Sequence, residues 1–307
     1  MHSTISKLLG GVRLGEPVTD AGLTLIPVFA DFPGAPQFLT LSEAIGRESL
    51  VITEVDAGGS VPELRAANRG DVGVLILDGE EVLGAKQNRV LNTSVYLAPG
   101  SEILIPVSCT EQGRWNYISD RFSDSGYLSS RSVRCAANES VTENLRQSES
   151  FRSDQGRVWD EVEMLHARHA VSAKTHAMRD VYEADKARTG RRREIGAAVP
   201  GQCGVFGLWG GRVIGFDAVG DPTVYAQLHE RLVRSYTLDA WVESAEAGEN
   251  DLFTAKEFLV SLAESELSTH ESPGDGVSTR FTGTAFTGSV LTVDDAILHA
   301  VCFASAD

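Results

Sequence analysis

Between Glu80 and Trp115 the chain reads EEVLGAKQNRVLNTSVYLAPGSEILIPVSCTEQGRW, and its carboxylates, amides, cations and single thiol are grouped in a way that could do chemistry. Lys86, Gln87, Asn88 and Arg89 precede one long alternating stretch, and Glu111, Gln112, Arg114 and Trp115 follow it. Guanidinium forks suit phosphate or carboxylate, amides read polar edges, and an indole offers a stacking face. If these residues converge at one end of a sheet, they make a pocket for a planar, anionic ligand, with Glu111 as general base or hydroxyl acceptor. The competing reading is structural: Arg89 and Glu111 form an ion pair at the sheet end, and the amides satisfy nearby loop backbone. Cys109 is a nucleophile if a cation depresses its pKa, and otherwise a small buried hydrophobe. Glu80 and Glu81 are adjacent on a strand, so they point to opposite faces and at most one belongs to the site.

The elements that must position these groups follow from period-two alternation. Val74 to Leu77 and Glu80 to Ala85 flank Asp78-Gly79, a tight-turn dipeptide, and predict a hairpin. Arg89 to Leu97 and Ile103 to Glu111 predict a second one around Ala98 to Glu102, where Pro99 and Gly100 supply the turn. Leu91, Thr93, Val95 and Leu97 share one face, as do Ile103, Ile105, Val107 and Cys109. Matching these faces opposes Leu97 to Ile103, Leu91 to Cys109 and Arg89 to Glu111. Asn88, Asn92, Ser94 and Tyr96 then share the other face with Ser108, Thr110 and Gln112.

The stretch GEEVLGAKQNRVLNTSVYLAPGSEILIPVSCTEQGRW resembles the signature of the domain family named for its association with ADP-ribosylglycohydrolases and with rhodanese/phosphatase-superfamily proteins. The likeness extends more loosely to QGRVWDEV, to the segments from GVFGLWGGRVIGFD to LVRSYTLDAW, and to the last strands. It implies a setting in ADP-ribose or nucleotide-linked metabolism, association with proteins of those two types, and candidate positions Glu80, Lys86, Gln87, Asn88, Arg89, Cys109, Glu111, Gln112, Arg114 and Trp115. Of these, Glu111, Glu80 and Cys109 are the candidates for chemistry and the others for ligand binding.

With 307 residues, 42% of them hydrophobic, the chain is long enough to bury a real core. Its 43 acidic and 27 basic residues give a formal charge of −16, which opposes broad electrostatic binding to nucleic acid or anionic membrane. An anionic ligand must therefore be held locally. Cys109, Cys135, Cys203 and Cys302 are widely spaced, without a metal-binding pair or a dense disulfide pattern. No apolar run reaches membrane-spanning length and the start lacks a secretory apolar region, so the expectation is a soluble, cytoplasmic protein.

The predicted fold class is α+β: an N-terminal β-sandwich or partly closed barrel over residues 1–150, and a C-terminal α+β portion over 151–307, possible parts of one joint fold. Leu23 to Ala30, Phe38 to Leu41, Leu50 to Glu54 and Val61 to Ala67 read as strands, with a short helix from Leu41 to Glu48. Asn116 to Arg134 reads as a long loop that could cover the pocket. Helices are predicted over Gln155 to Arg168 and Lys174 to Arg188, and a basic linker over Arg191 to Arg193. Cys203 to Trp209 and Arg212 to Val219 form a hairpin around Gly210-Gly211. Asp221 and Pro222 open a helix lined by Tyr225, Leu228, Leu232 and Tyr236. Glu243 to Asp251 is an exposed connection, Thr254 to Leu267 a helix, and Val277 to Phe286, Ser289 to Val293 and Ala296 to Phe303 the closing strands. Glu163, His166 and His169 share a helical face near His176, but no matched ligand cluster accompanies them, so no metal is expected and no cofactor is named. The function that the side-chain inventory and the resemblance together imply is binding of an ADP-ribose-like or other phosphorylated ligand, with hydrolysis or transfer where it is an enzyme. The alternative is a non-catalytic sensor or interaction module with a structural polar network.

Overall fold

The computed structural model describes residues 3–56, 62–114, 116–148, 150–189, 196–240, 245–246, 248–249 and 251–305. In chain order the strands are β1 (Arg13–Leu14), β2 (Val18–Asp20), β3 (Leu23–Phe29), β4 (Phe38–Thr40), β5 (Leu50–Glu54), β6 (Glu63–Asn68), β7 (Gly73–Ile76), β8 (Glu80–Leu83), β9 (Arg89–Leu91), β10 (Val95–Leu97), β11 (Glu102–Cys109), β12 (Ser123–Leu128), β13 (Gly204–Trp209), β14 (Arg212–Val219), β15 (Glu266–Glu271), β16 (Val277–Gly283), β17 (Phe286–Val293) and β18 (Ala296–Ala304). The helices are α1 (Ser3–Gly11), α2 (Leu41–Gly46), α3 (Arg131–Ser148), α4 (Gln155–Arg168), α5 (Met178–Thr189), α6 (Pro222–Ala240) and α7 (Asp251–Ser261). The architecture is α+β. None of the helices among the described residues is long and apolar enough to cross a membrane.

Chain contacts define two units. The first comprises Met1–Pro36, Gly196–Ser272 and Gly276–Asp307, and the second Gln37–Ile195 with Pro273–Asp275. The expected boundary between residues 150 and 151 falls inside the second unit. The physical reason is strand pairing: β3 lies against β13, with Phe206 opposite Ile26, so the amino-terminal strands complete a sheet built from the carboxy-terminal half.

In the first unit, nine strands form that sheet. Its hairpin turn at Gly210 and Gly211 has φ of +55° and +76°, the left-handed pair that a two-residue connection requires. Asp221 caps α6 by accepting from the backbone N–H groups of Thr223 (2.6 Å) and Val224 (3.1 Å), with Pro222 in the first helical position. Tyr225, Leu228, Leu232 and Tyr236 are buried along α6, as their spacing predicts. Leu8, Ile26, Phe206, Phe216, Phe281 and Cys302 belong to the core of this unit.

The second unit holds a six-stranded path, β12-β8-β9-β11-β6-β5, and a three-stranded one, β10-β7-β4. Phe122 N–H donates to the Ile52 carbonyl (2.9 Å), which ties the segment entering β12 to β5 and curls the six strands into a partly closed barrel. Leu64, Ile76, Val82, Leu91, Leu97, Ile105 and Val107 fill its interior.

Two predicted hairpins are corrected here. The turn at Asp78-Gly79 forms, with Glu80 N–H donating to the Leu77 carbonyl (3.2 Å), but β7 and β8 enter different sheets. Arg89 to Leu97 is not one strand: it breaks at Asn92 to Ser94, and β10 pairs with β7 while β9 pairs with β11. The sequence shows alternation but not the corner at which a strand changes sheet. The register is therefore Arg89 opposite Cys109 and Leu91 opposite Val107, two residues from the expected one, which leaves the apolar faces matched.

Asn116 to Arg134 is not a continuous loop either, since it contains β12 and the start of α3. Helix α3 escaped the sequence reading because its apolar stripe is one residue wide. Val133, Ala137, Val141 and Leu145 repeat every fourth position, while Arg134, Asn138 and Thr142, also buried, form a polar row beside them. The candidate basic linker at Arg191 to Arg193 and part of the Glu243 to Asp251 connection lie outside the described residues.

Gly79 shows how tightly the turn into β8 is built. Its φ is +82°, and a Cβ there would lie 2.6 Å from Arg134 Cγ and 2.8 Å from Ser129 Oγ. Gly79→Ala is expected to cost about 1–3 kcal/mol in chemical denaturation, from left-handed strain plus displacement of buried neighbours. An unchanged midpoint would show that the turn yields freely.

Candidate functional site

The candidate site lies in the second unit, where β8 turns into β9 and the chain leaves β11. Opposing residues on paired strands share a face, so Val82, Arg89 and Cys109 lie in one row and Glu81, Val90 and Ser108 in the neighbouring row on the other side. Alternation thus sends Arg89 and Cys109 to the side of the apolar core. The opposite face carries the polar side chains, and there Ser108 Oγ donates to Asn92 Oδ1 (2.7 Å), as the predicted face requires. Helix α4 covers part of that face: its Gln155 accepts from Cys109 N–H (2.7 Å) and donates to the Cys109 carbonyl (3.0 Å).

Five of the sequence candidates meet. Gln87 is buried and donates from Nε2 to the Glu111 carbonyl (2.9 Å), while Arg89 donates to Gln87 Oε1 (3.0 Å). Arg114 grips Glu111 Oε2 from Nε (2.8 Å) and NH2 (2.7 Å), and NH2 also donates to Asn88 Oδ1 (3.1 Å). Its NH1 donates to the carbonyls of Ala85 and Asn116, both at 3.0 Å. The partner of Glu111 is therefore Arg114, three residues on, rather than Arg89 as expected, because the two-residue change in register places Cys109 opposite Arg89.

The remaining candidates are more scattered. Lys86 is half-buried, and its Nζ sits 5.2 Å from the centroid of the Tyr117 ring, which is 50% exposed. Gln112 is exposed, and Trp115 lies outside the described residues. Glu80 is fully buried, and its Oε2 accepts from Leu77 N–H (2.8 Å), closing the turn before β8. Burial raises the Cys109 thiol, against the smaller opposing pull of the Arg89 charge, so its neutral form is favoured.

Two further polar groups were not singled out by residue spacing. Asp78 and Arg134 form an almost wholly buried ion pair (3.3 Å), and Ser94 Oγ also donates to Asp78 Oδ1 (3.1 Å). In the first unit, Asp217 on β14 accepts from Tyr236 Oη on α6 (2.6 Å) and from His299 Nε2 on β18 (3.1 Å), all three being fully buried. Nearby, Gln202 Nε2 donates to Tyr225 Oη, which faces His229 Nδ1 (2.9 Å each). His229 Nε2 faces the Gly196 carbonyl (2.8 Å), so Nε2 carries the proton and Nδ1 accepts from the tyrosine. Burial, reinforced by the Asp217 charge, holds the Tyr225 phenol well above its ordinary range. The only sequence signal for Asp217 and His299 was a polar residue on an otherwise apolar strand.

A buried carboxylate and imidazole in contact are able to contribute to holding a ligand or cation. The histidines of α4 are less suited. His166 presents Nδ1 and Nε2 to the carbonyls of Val171 (3.3 Å) and Ala177 (3.0 Å), and Glu163 points to solvent.

Fold and site together define an α+β protein with a curled sheet whose polar end gathers amides, carboxylates and guanidinium groups. The chain belongs to the ARG and Rhodanese-Phosphatase-superfamily-associated Protein domain family, whose model matches residues 11–303. Comparison with curated proteins and with solved structures gave no significant match.

Proposed function

We propose that the second unit binds a small, anionic, nucleotide-linked ligand of the ADP-ribose class at the polar end of its curled sheet, in a cytoplasmic setting. The supporting observation is the run of hydrogen bonds that links Arg89 to Gln87, Gln87 to the Glu111 carbonyl, and Arg114 to both Glu111 and Asn88. The family's name, which links these domains to ADP-ribosylglycohydrolases and rhodanese/phosphatase-superfamily proteins, favours that ligand class and partners of those types. At the rim, Lys86 is the cation a phosphate meets first, and exposed Tyr117 offers a ring for a base to stack on. Deeper in, Arg89 and Gln87 orient the anion, and Glu111, gripped by Arg114, accepts from ribose hydroxyls. Hydrolysis or transfer of the ligand belongs to the same reading, with Glu111 as the base.

Titration calorimetry with ADP-ribose tests the proposal. Saturable binding to the wild type is expected, weakened at least tenfold, about 1.4 kcal/mol, in Arg89→Ala and in the more exposed Lys86→Ala. Absence of binding to the wild type would remove ADP-ribose, and equal binding by both folded variants would move the site elsewhere. Ligand recovered unchanged would favour a sensor over an enzyme.

A second reading is favoured by Arg114, whose fork is occupied by Glu111, Asn88 and two backbone carbonyls. In that reading the cluster is an internal network that clamps the strand ends. Asn88→Ala then lowers the melting temperature, and ADP-ribose does not raise it in any variant.

A further inference from the structure

Glu81 sits beside the cluster described above without belonging to it. Its side chain is fully buried, and Oε1 accepts from Thr110 Oγ1 (2.9 Å). Oε2 is sealed from solvent and has no hydrogen-bond partner among the described residues. Buried polar atoms are rarely left in this state, and each exception has a cause, such as strain, a catalytic role, or a bound water or ion.

The strand beside it is irregular at the same point. Across the β8–β12 ladder, Val82 faces Asp124 and Glu80 faces Leu128, so Ser125, Gly126 and Tyr127 all bulge opposite Glu81 alone. Gly126 is exposed with φ of +81°, and a Cβ added there would meet nothing. Bulges of this kind interrupt pairing and re-aim side chains, often next to functional sites. The Ser125 hydroxyl faces its own strand, donating to the Tyr127 carbonyl (3.3 Å) and accepting from Tyr127 N–H (2.9 Å). Through Thr110, Glu81 joins the candidate site: Thr110 N–H donates to the Asn88 carbonyl (3.2 Å), and Glu111 follows it directly.

Burial pushes the Glu81 carboxyl up to about 7. The hydrogen bond from Thr110, the Ser125 hydroxyl and the Arg179 charge on α5 pull it down, and the Glu111 charge pushes it up. These are the polar and charged groups that act on it from β11, β12, α5 and the segment after β11. Near neutral pH it therefore exchanges a proton readily, and Oε2 has no partner at hydrogen-bonding distance among the described residues to receive that proton.

We propose that neutral Glu81 donates a hydrogen bond from Oε2–H to an anionic oxygen of the bound ligand, so that binding draws a proton from solution. This inference rests on the ligand class proposed above and adds a pH dependence to that site. A neutral donor lets a chain with a formal charge of −16 receive a phosphate oxygen without adding a cation. In the step itself, solvent protonates the carboxylate, and the O–H then remains on Glu81 while the phosphate keeps its charge. No other bond is made or broken.

Calorimetric titration of the full chain with ADP-ribose, near pH 7 in PIPES and in imidazole, reads this directly. The expected result is a binding enthalpy that differs between buffers by the uptake of about half a proton, and an affinity that falls about tenfold per pH unit above neutrality. Glu81→Gln keeps a donor at that position and should bind with neither dependence. Thr110→Val removes a hydrogen bond that lowers the Glu81 pKa, so the midpoint of the pH profile should move upward. The second variant also decides the matter if the first does not fold. Binding by the wild type with no dependence on buffer or pH overturns the role of Glu81 and leaves the binding proposal standing. Buffer dependence that survives in Glu81→Gln, or an unmoved midpoint in Thr110→Val, also overturns it. Failure of the wild type to bind ADP-ribose removes both proposals.

Discussion

Arg134→Ala is expected to lower the stability of the protein by about 3–5 kcal/mol, the cost of taking the partner from a buried charge. Arg134 is fully buried in α3, and its guanidinium meets Asp78 through Nε (3.3 Å) and NH2 (3.4 Å). Asp78 sits in the turn that sends the chain from one sheet to the other, and its N–H donates to Ser94 Oγ (2.9 Å). The stem of Arg134 also packs where a Cβ on Gly79 would lie, so truncation removes apolar contact as well as charge. The effect should fall on the turn between β7 and β8 and thereby on the placement of β8. Urea denaturation measures it. The double variant Asp78→Asn, Arg134→Met should recover part of the loss, because replacing both charges removes the desolvation penalty that the single variant exposes. A loss below about 1 kcal/mol in Arg134→Ala would mean that Asp78 is well solvated without its partner.

The second large effect depends on pH. The Glu81 carboxyl moves from an ordinary 4.5 to about 7 on folding, with desolvation the dominant cause. Between those values the folded state holds more protons than the unfolded state, so stability falls as pH rises. The stabilising contribution is whole below about pH 4.5 and gone above about pH 7, a span of about 3 kcal/mol for this fully buried group. Glu81→Gln keeps the shape and cannot ionise. It should match the wild type near pH 4 and exceed it by up to about 3 kcal/mol near pH 8, as measured by paired denaturation curves at each pH. Two curves that stay parallel across this range would show that Glu81 does not titrate there. A gain in stability at high pH together with a loss of pH-dependent ligand binding would be the pattern of a group retained for function rather than for folding.

The local part of the structure was legible because it depends on near neighbours. The Gly210-Gly211 turn, the Asp221 cap with Pro222, the apolar stripe of α6 and the bounds of α4 all arise from backbone conformation or spacing within one or two turns. The polar character of the stretch from Gln87 to Arg114 was legible for the same reason. Side-chain inventory alone marked its carboxylates, amides and cations as grouped for chemistry, and Gln87, Asn88, Arg89, Glu111 and Arg114 do meet.

Which of those residues pair, and which carboxylate is buried without a full set of partners, was decided only in three dimensions. Parity placed Glu80 and Glu81 on opposite faces, but the turn at Leu77 occupies Glu80, while the β12 bulge and the covering elements isolate Glu81. The sequence likewise marked alternation through Arg89 to Leu97, yet the strand breaks and changes sheet at Asn92 to Ser94. It carried no sign that β3 would complete a sheet with β13, since that contact joins segments far apart in the chain. Sequence by itself determined the turns, caps, apolar faces and the composition of the polar stretch, because these are set by local sterics and by which side chains avoid water. Tertiary structure decided strand order, register, the ion-pair partners and the proton affinity of Glu81, because each depends on desolvation and on charges brought together from distant positions.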